Sequence, residues 1–238
     1  MTSIPNSTLL EFERRLTAEW LPVYCDDPAR NYNVCGFKNG LGSLAHQDAA
    51  DFTYCLDTGL VGDIGGGRYR AARSMATEVL FWEGSKQVLP RPITLWLEPI
   101  ITIAALGRLH RDYGWPGPQL GLQSADWAFD LVAYINADSA EMAVACEVKK
   151  SSRELMHMIR YLHSFAAEPS IVGTCAKGPA LNAARKWAAL AAARPPLFWA
   201  VGPAAESTLF CVTYDDVGPR AFKPLSLERL QFTRWQKL

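Results

Sequence analysis

Trp127-Ala128-Phe129-Asp130-Leu131-Val132-Ala133-Tyr134, followed after a short polar break by Ala143-Val144-Ala145-Cys146-Glu147-Val148-Lys149-Lys150, is the stretch that decides the fold. Both halves are apolar runs of strand length, predicting strands over 128–135 and 142–149. The turn-prone Asn136-Ala137-Asp138-Ser139 between them predicts a β-hairpin. Side chains alternate faces along a strand, so Glu147 and Lys149 share one side while Cys146 and Val148 take the other. Asp130 lies in the equally apolar first run, across the hairpin from Glu147. Charges in such a core-like setting are costly unless they pair with each other or serve a metal and a substrate. Two acids and a lysine are therefore expected to converge at one place.

The flanking segments extend this pattern. Ser151 or Ser152 can cap a helix whose Leu155, Met158, Ile159 and Leu162 carry it to about Phe165. An Ala-rich amphipathic helix from Ala180 to Ala193, containing Arg185, Lys186 and Trp187, precedes strands over 197–201 and 208–214. Upstream, a helix over 97–113 carries Ile100, Ile101, Ile103, Ala104, Leu106 and Leu109 on a broad apolar face, with Pro99 in its first turn. Gly114-Trp115-Pro116-Gly117-Pro118 stops it. From residue 92 onward the order is helix, strands, helix, helix, strand, strand. Pro90-Arg91-Pro92 marks a boundary between an N-terminal region, 1–90, and a core, 91–238. In the N-terminal region a helix is expected over 8–21, ended by Pro22. An irregular, partly β stretch then runs from Asn31 to Gly84, with short strands at Phe52–Leu56 and Thr77–Trp82.

Composition limits the functional classes. The chain has 238 residues, 49% hydrophobic and 20% charged, which is the balance of a folded globule and excludes a disordered or low-complexity role. Twenty-four basic residues match 24 acidic ones, so no global field draws the chain to nucleic acid or an anionic membrane, and any phosphate-binding surface must be local. The most apolar stretch, 93–109, is interrupted by Glu98 and Arg108 and is too short to span a bilayer. No secretory signal is expected from the opening residues. Six scattered cysteines without a Cys-x-x-Cys pair point to reduced thiols, and hence to a cytoplasmic protein. Cys25, Cys35 and His46 form no zinc pattern, so no structural metal is expected.

An acid-x-Lys triplet alone carries little weight, since about one is expected by chance in a chain of this composition. Here the triplet closes an apolar strand, follows an acid in the preceding strand, and is succeeded by a capped helix. In these residues the chain resembles the PD-(D/E)xK nuclease superfamily over roughly residues 92–215. The resemblance implies an α/β fold with a restriction-endonuclease-like core, a central mixed β-sheet flanked by helices; the partly β N-terminal region, 1–90, is expected to pack on this core as a lobe that helps to hold substrate. It matches Asp130 to the first metal-binding acid, Glu147 to the second and Lys149 to the motif lysine. Phe129 stands where the motif's proline would be. Glu98 is the candidate for a further acid on the first core helix, although a carboxylate at a helix start can equally cap free N–H groups.

The implied activity is a Mg²⁺-dependent nuclease, with Mn²⁺ able to substitute, hydrolysing phosphodiester bonds by metal-activated water. Asp130, Glu147 and the Val148 carbonyl would hold the metal through hard oxygens. Lys149 would orient or deprotonate the water, its pKa lowered by burial. The resemblance favours DNA and endonucleolytic action. Double-strand cutting by one site per chain implies a homodimer or a delivering protein partner. The competing reading is a catalytically silent binding or assembly subunit of a nucleic-acid-processing complex, and the bland one a buried ion pair. Lys150 and Arg153 are candidate phosphate contacts, as are Arg68 and Arg70 in the basic run Arg68-Tyr69-Arg70 with nearby Arg73. The preceding Gly62–Gly67 run lacks the Gly-Lys-Ser/Thr ending of a phosphate loop and reads as a glycine turn. On the helix after the motif, His157 and Tyr161 share a face and can approach the site.

Overall fold

In the computed structural model, which describes residues 5–27, 32–38 and 40–234, the chain opens with α1 (Pro5–Arg15), a wide π-turn at Leu16–Trp20, and α2 (Leu21–Cys25). The helical run therefore continues past Pro22 instead of ending there. Proline lacks an N–H and crowds the carbonyl one turn back, and the widened turn just before it accommodates both defects. After β1 (Phe37–Lys38) comes α3 (His46–Asp57), which replaces the strand expected at Phe52–Leu56. Its buried residues Asp48, Ala49, Asp51, Phe52 and Cys55 follow the helical spacing i, i+1, i+3, i+4, i+7. A five-residue window of alternation was too short to separate the two periods.

A small antiparallel sheet joins β2 (Gly62–Asp63), β3 (Arg68–Arg70) and β4 (Glu78–Val79). The strand expected over Thr77–Trp82 divides at Leu80, whose N–H turns aside to Gly67 O at 2.8 Å. Beyond it β5 (Phe81–Glu83) pairs with β6 (Ile93–Leu95) in a second three-stranded sheet, completed by β1. That sheet straddles Pro90-Arg91-Pro92, so the residues just after the prolines are tied to those well before them.

The next element, α4 (Leu97–Arg111), is buried along every residue from Pro99 to Leu109. The helix is enclosed between α3 and the main sheet, and its buried Arg108 pairs with Asp48 and Asp51 of α3. Gly107 permits the close approach of α3: a Cβ there would lie 2.7 Å from Cys55 Sγ and 3.0 Å from Asp51 O.

The main sheet has six strands: β7 (Leu120–Leu122), β8 (Leu131–Tyr134), β9 (Met142–Val148), β10 (Leu197–Val201), β11 (Ser207–Tyr214) and β12 (Pro219–Leu225). They lie side by side in chain order. Neighbours are antiparallel except β9 and β10, which are parallel and are connected through α5 (Ser152–Ala167) and α6 (Gly178–Ala193). The architecture is α/β, with a mixed sheet flanked by helices. Leu131, Ala133, Val144, Cys146 and Trp199 face the core shared with α3 and α4, whereas Val132, Tyr134, Ala145, Phe198 and Ala200 face α5 and α6. Ser151 is the N-cap of α5, its side chain accepting the Glu154 N–H. The outer edge of β7 is covered by the segment 73–75 through Arg73 N–H to Leu120 O and Met75 N–H to Leu122 O. Among the described residues no helix is long and apolar enough to cross a membrane.

Candidate active site

The antiparallel register of β8 and β9 pairs Leu131 with Cys146, and this places Asp130 and Glu147 opposite each other at the same end of the hairpin. Asp130 is not inside a strand, as expected, but in the bend that leads into β8. The bend is held by Ser124, whose Oγ accepts the N–H groups of Ala128 and Phe129, each at 3.0 Å. The ladder nevertheless reaches Asp130, whose N–H donates to Cys146 O at 3.1 Å. Its Oδ2 accepts the Val148 N–H at 2.8 Å, which draws the carboxylate to the end of β9.

Glu147 is 1% exposed and points from β9 toward α6. Lys149 Nζ donates to Glu147 Oε1 at 2.5 Å and to Val148 O at 2.8 Å, and Glu98 Oε1 lies 4.0 Å away. On the other side Lys186 Nζ forms an ion pair with Glu147 Oε2 at 2.7 Å. Lys186 also donates to Ala128 O, tying α6 to the loop before Asp130. One buried carboxylate is thus held between two ammonium groups.

Three acids and two lysines share this corner, and their ionisation follows from the arrangement. Burial raises the Asp130 carboxyl well above its ordinary value and the nearby Glu147 charge raises it further, against the lysines and the Val148 N–H. Burial likewise raises Glu98, with Lys149 opposing. For Glu147 burial acts in the same sense, but Lys149 and Lys186 together outweigh it and the net direction is downward. The Lys149 pKa is not lowered as expected. Burial does favour the neutral amine, but the charges of Glu147, Asp130 and Glu98 outweigh it and hold Lys149 as a cation. Lys149 is therefore favoured in its ammonium form, the form that pairs with Glu147 and donates to the Val148 carbonyl.

The expected trio of Asp130, Glu147 and Lys149 comes together, with Val148 contributing its carbonyl. Glu98 joins it from the first turn of α4, where Trp96 is the N-cap and no side chain caps the helix. Lys150 is exposed beside the site and pairs with Glu154 at 3.9 Å, and Arg153 is exposed on the first turn of α5. The basic run does not join them. Arg68 donates to Gly65 O, and Arg70 donates to Ser74 O and lines a separate cavity with His110, at the opposite end of α4 from Glu98. Arg73 is structural: it donates to Ala137 O and Ser139 O in the β8–β9 turn and lies over the Tyr134 ring at 4.0 Å.

Lys186 is the residue that sequence reading missed, since it lies on a helix 37 residues beyond Lys149, and only the packing of α6 on the sheet brings it to Glu147. A cleft of about 630 Å³ opens over these groups, with Asp130, Glu147 and Lys149 on its floor and Trp127, Arg185 and Lys186 on its walls. A smaller cavity of about 240 Å³ lies between α5 and α6, with His157, Glu147 and Lys186 among its lining residues.

Among the described residues no three acidic, His or Cys side chains form a ready metal cage. The donor set still fits a hard divalent cation. Mg²⁺ commonly takes one or two carboxylates and keeps several waters, and Asp130, Glu147 and the Val148 carbonyl offer two carboxylates and a carbonyl. Asp130 is a buried-side carboxylate without an ion pair among the described residues, while the Lys149 ammonium spans the Glu147 and Val148 oxygens. Comparison of the chain with protein-family models, with curated proteins and with solved structures returns no match.

Proposed function

We propose that this chain is a Mg²⁺-dependent nuclease of the PD-(D/E)xK superfamily, with a restriction-endonuclease-like core, acting on DNA. The observation that carries the proposal is the facing of Asp130 and Glu147 across one hairpin end, with Lys149 touching both Glu147 and the Val148 carbonyl. The element order supports it: a helix bearing an acid, an antiparallel meander bearing Asp and then Glu-x-Lys, helices, and a strand parallel to the motif strand.

Asp130, Glu147 and the Val148 carbonyl are the groups that would hold Mg²⁺, with Glu98 beside them. When bound, the ion supplies charge neutralisation at the phosphate and a lowered pKa for a coordinated water. Lys149, whose ammonium form its three acidic neighbours favour, would orient the attacking water and stabilise charge developing on phosphate oxygens. Lys186 and Arg185, on the wall of the cleft, supply the positive charge that draws a phosphodiester toward the acids. Lys150 and Arg153 extend that surface along the start of α5.

The test is cleavage of supercoiled plasmid and of labelled single-stranded DNA and RNA in Mg²⁺, Mn²⁺ or EDTA, with wild type beside Lys149→Ala. Metal-dependent cutting lost in the variant is the expected result. A second reading, a silent binding module, is favoured by the way two lysines already neutralise Glu147. It predicts nucleic-acid binding with no cutting in any metal.

A further inference from the structure

Trp127 stands apart from the other aromatic residues near the site. It is 68% exposed on the wall of the cleft, three residues before Asp130. Its backbone sits at φ +59, in the left-handed region that a bulky side chain rarely occupies. Strain of this kind persists only where the surroundings enforce it. Here Trp127 N–H donates to Ser124 O at 2.9 Å, and Ser124 Oγ donates to Asp126 Oδ1 at 2.5 Å. Lys186 secures the following residue by donating to Ala128 O. The loop thus spends hydrogen bonds and backbone strain on holding a large apolar ring out in solvent.

The chemistry of the cleft says what such a ring would meet. Arg185 and Lys186 line the same cleft and favour an anionic backbone, while Trp127 offers a flat π-face to whatever that backbone carries. We propose that Trp127 is a stacking platform for an unpaired nucleobase next to the scissile phosphate, so that the preferred substrate is single-stranded nucleic acid or a duplex with an unpaired end or flap. This rests on the nuclease reading above. A base in an intact duplex is already stacked on both faces and has none free for the indole. A base without a neighbour gains stacking on Trp127, a contribution worth about five- to a hundredfold in affinity.

The test uses the full chain carrying Lys149→Ala, which stops turnover but leaves Asp130, Glu147 and the Val148 carbonyl to hold the metal, in Mg²⁺. Anisotropy is read with a fluorescein-labelled single strand of about 16 nucleotides and with the matching duplex. Adding Trp127→Ala should weaken single-strand binding about five- to a hundredfold and leave duplex binding unchanged, and Trp127→Phe should retain most of the single-strand affinity. Trp127→Gly should lose the same affinity without a lower melting temperature, because relief of the left-handed backbone at φ +59 offsets the freedom that glycine adds to the unfolded chain. Unchanged single-strand binding in Trp127→Ala overturns the inference and leaves the nuclease reading standing. Equal losses on single strand and duplex overturn it also, as does a lower melting temperature in Trp127→Gly, which would reveal a packing role. Absence of binding to either probe in the parent overturns both the inference and the nuclease reading.

Discussion

Glu147→Gln isolates the charge that organises the site. The substitution keeps the shape of the side chain but removes the anion between Lys149, 2.5 Å away, and Lys186, 2.7 Å away. At an effective dielectric constant of about 20, opposite charges 4 Å apart attract by about 4 kcal/mol, and both pairs here are closer. Much of that gain is offset by the cost of taking the carboxylate out of water, which the variant recovers, yet removing one member of a buried pair typically costs about 3–5 kcal/mol. The lysine side chains are 21% and 15% exposed and Lys149 keeps the Val148 carbonyl, so partial solvation moderates the loss to about 2 kcal/mol. For a chain of this size that is about 4–8 °C in melting temperature. The sign with pH follows from the lowered Glu147 pKa: the contribution is present above the unfolded value near 4.3 and is lost as pH falls through the lower folded value. Urea denaturation of both proteins in EDTA, from pH 7 down to pH 3, measures it. A Gln variant as stable as wild type at pH 7, or a deficit that persists undiminished at pH 3, would refute the argument that charge pairing holds this corner together.

Other outcomes follow from the same structure. Asp130→Asn should raise the melting temperature in EDTA, because it removes a carboxylate whose ionisation burial and Glu147 oppose. It should also abolish the upward shift that Mg²⁺ gives wild type, which at a hundredfold excess over Kd amounts to about 2.7 kcal/mol; differential scanning fluorimetry with and without Mg²⁺ reads both. Glu78, buried on β4 and accepting a hydrogen bond from Gln123 Nε2, has its pKa pushed up to about 7, by burial first and by Glu98 in addition. The folded state therefore binds the extra proton between about pH 4 and 7 and loses stability as pH rises through that range. Glu78→Gln should be more stable than wild type at pH 8 by on the order of 3 kcal/mol, with the difference vanishing near pH 4 in denaturant titrations. Gly107→Ala should cost about 1–3 kcal/mol, since its Cβ would press on Cys55 Sγ and the Asp51 carbonyl, and the same titrations would show it.

The hairpin and its chemistry were legible because they are local. The apolar runs, the turn and the capping serine lie within 30 residues, and the pleat alone puts Glu147 and Lys149 on one side. The start of β8 was misplaced because Trp127, Ala128 and Phe129 have strand-like composition, but Trp127 takes a left-handed backbone that no propensity encodes. The edge strands β7 and β12 escaped notice for a different reason: Gly121 in one and Pro219 and Pro224 in the other weaken the strand signal. The basic run Arg68–Arg70 looked like a phosphate surface because charge is visible in sequence and direction is not. Lys186 was passed over as one face of an amphipathic helix, and its role depends on where α6 packs.

The charges at the site explain why Asp130, rather than Glu147, separates the enzymatic reading from the silent one. Glu147 takes both lysines for itself, leaving Asp130 without an ion pair among the described residues and Glu98 with only the distant edge of Lys149. Both of these acids have raised pKa values, each because burial resists the charge. A module built only to bind an anionic backbone gains nothing from such carboxylates, since they repel the ligand and weaken the fold. A site that recruits a divalent cation needs them, because the cation turns the unpaired charge from a cost into a source of binding. The two readings therefore make opposite demands of Asp130→Asn. In a silent module it tightens nucleic-acid binding with no loss, whereas in a nuclease it stabilises the metal-free protein and ends cleavage.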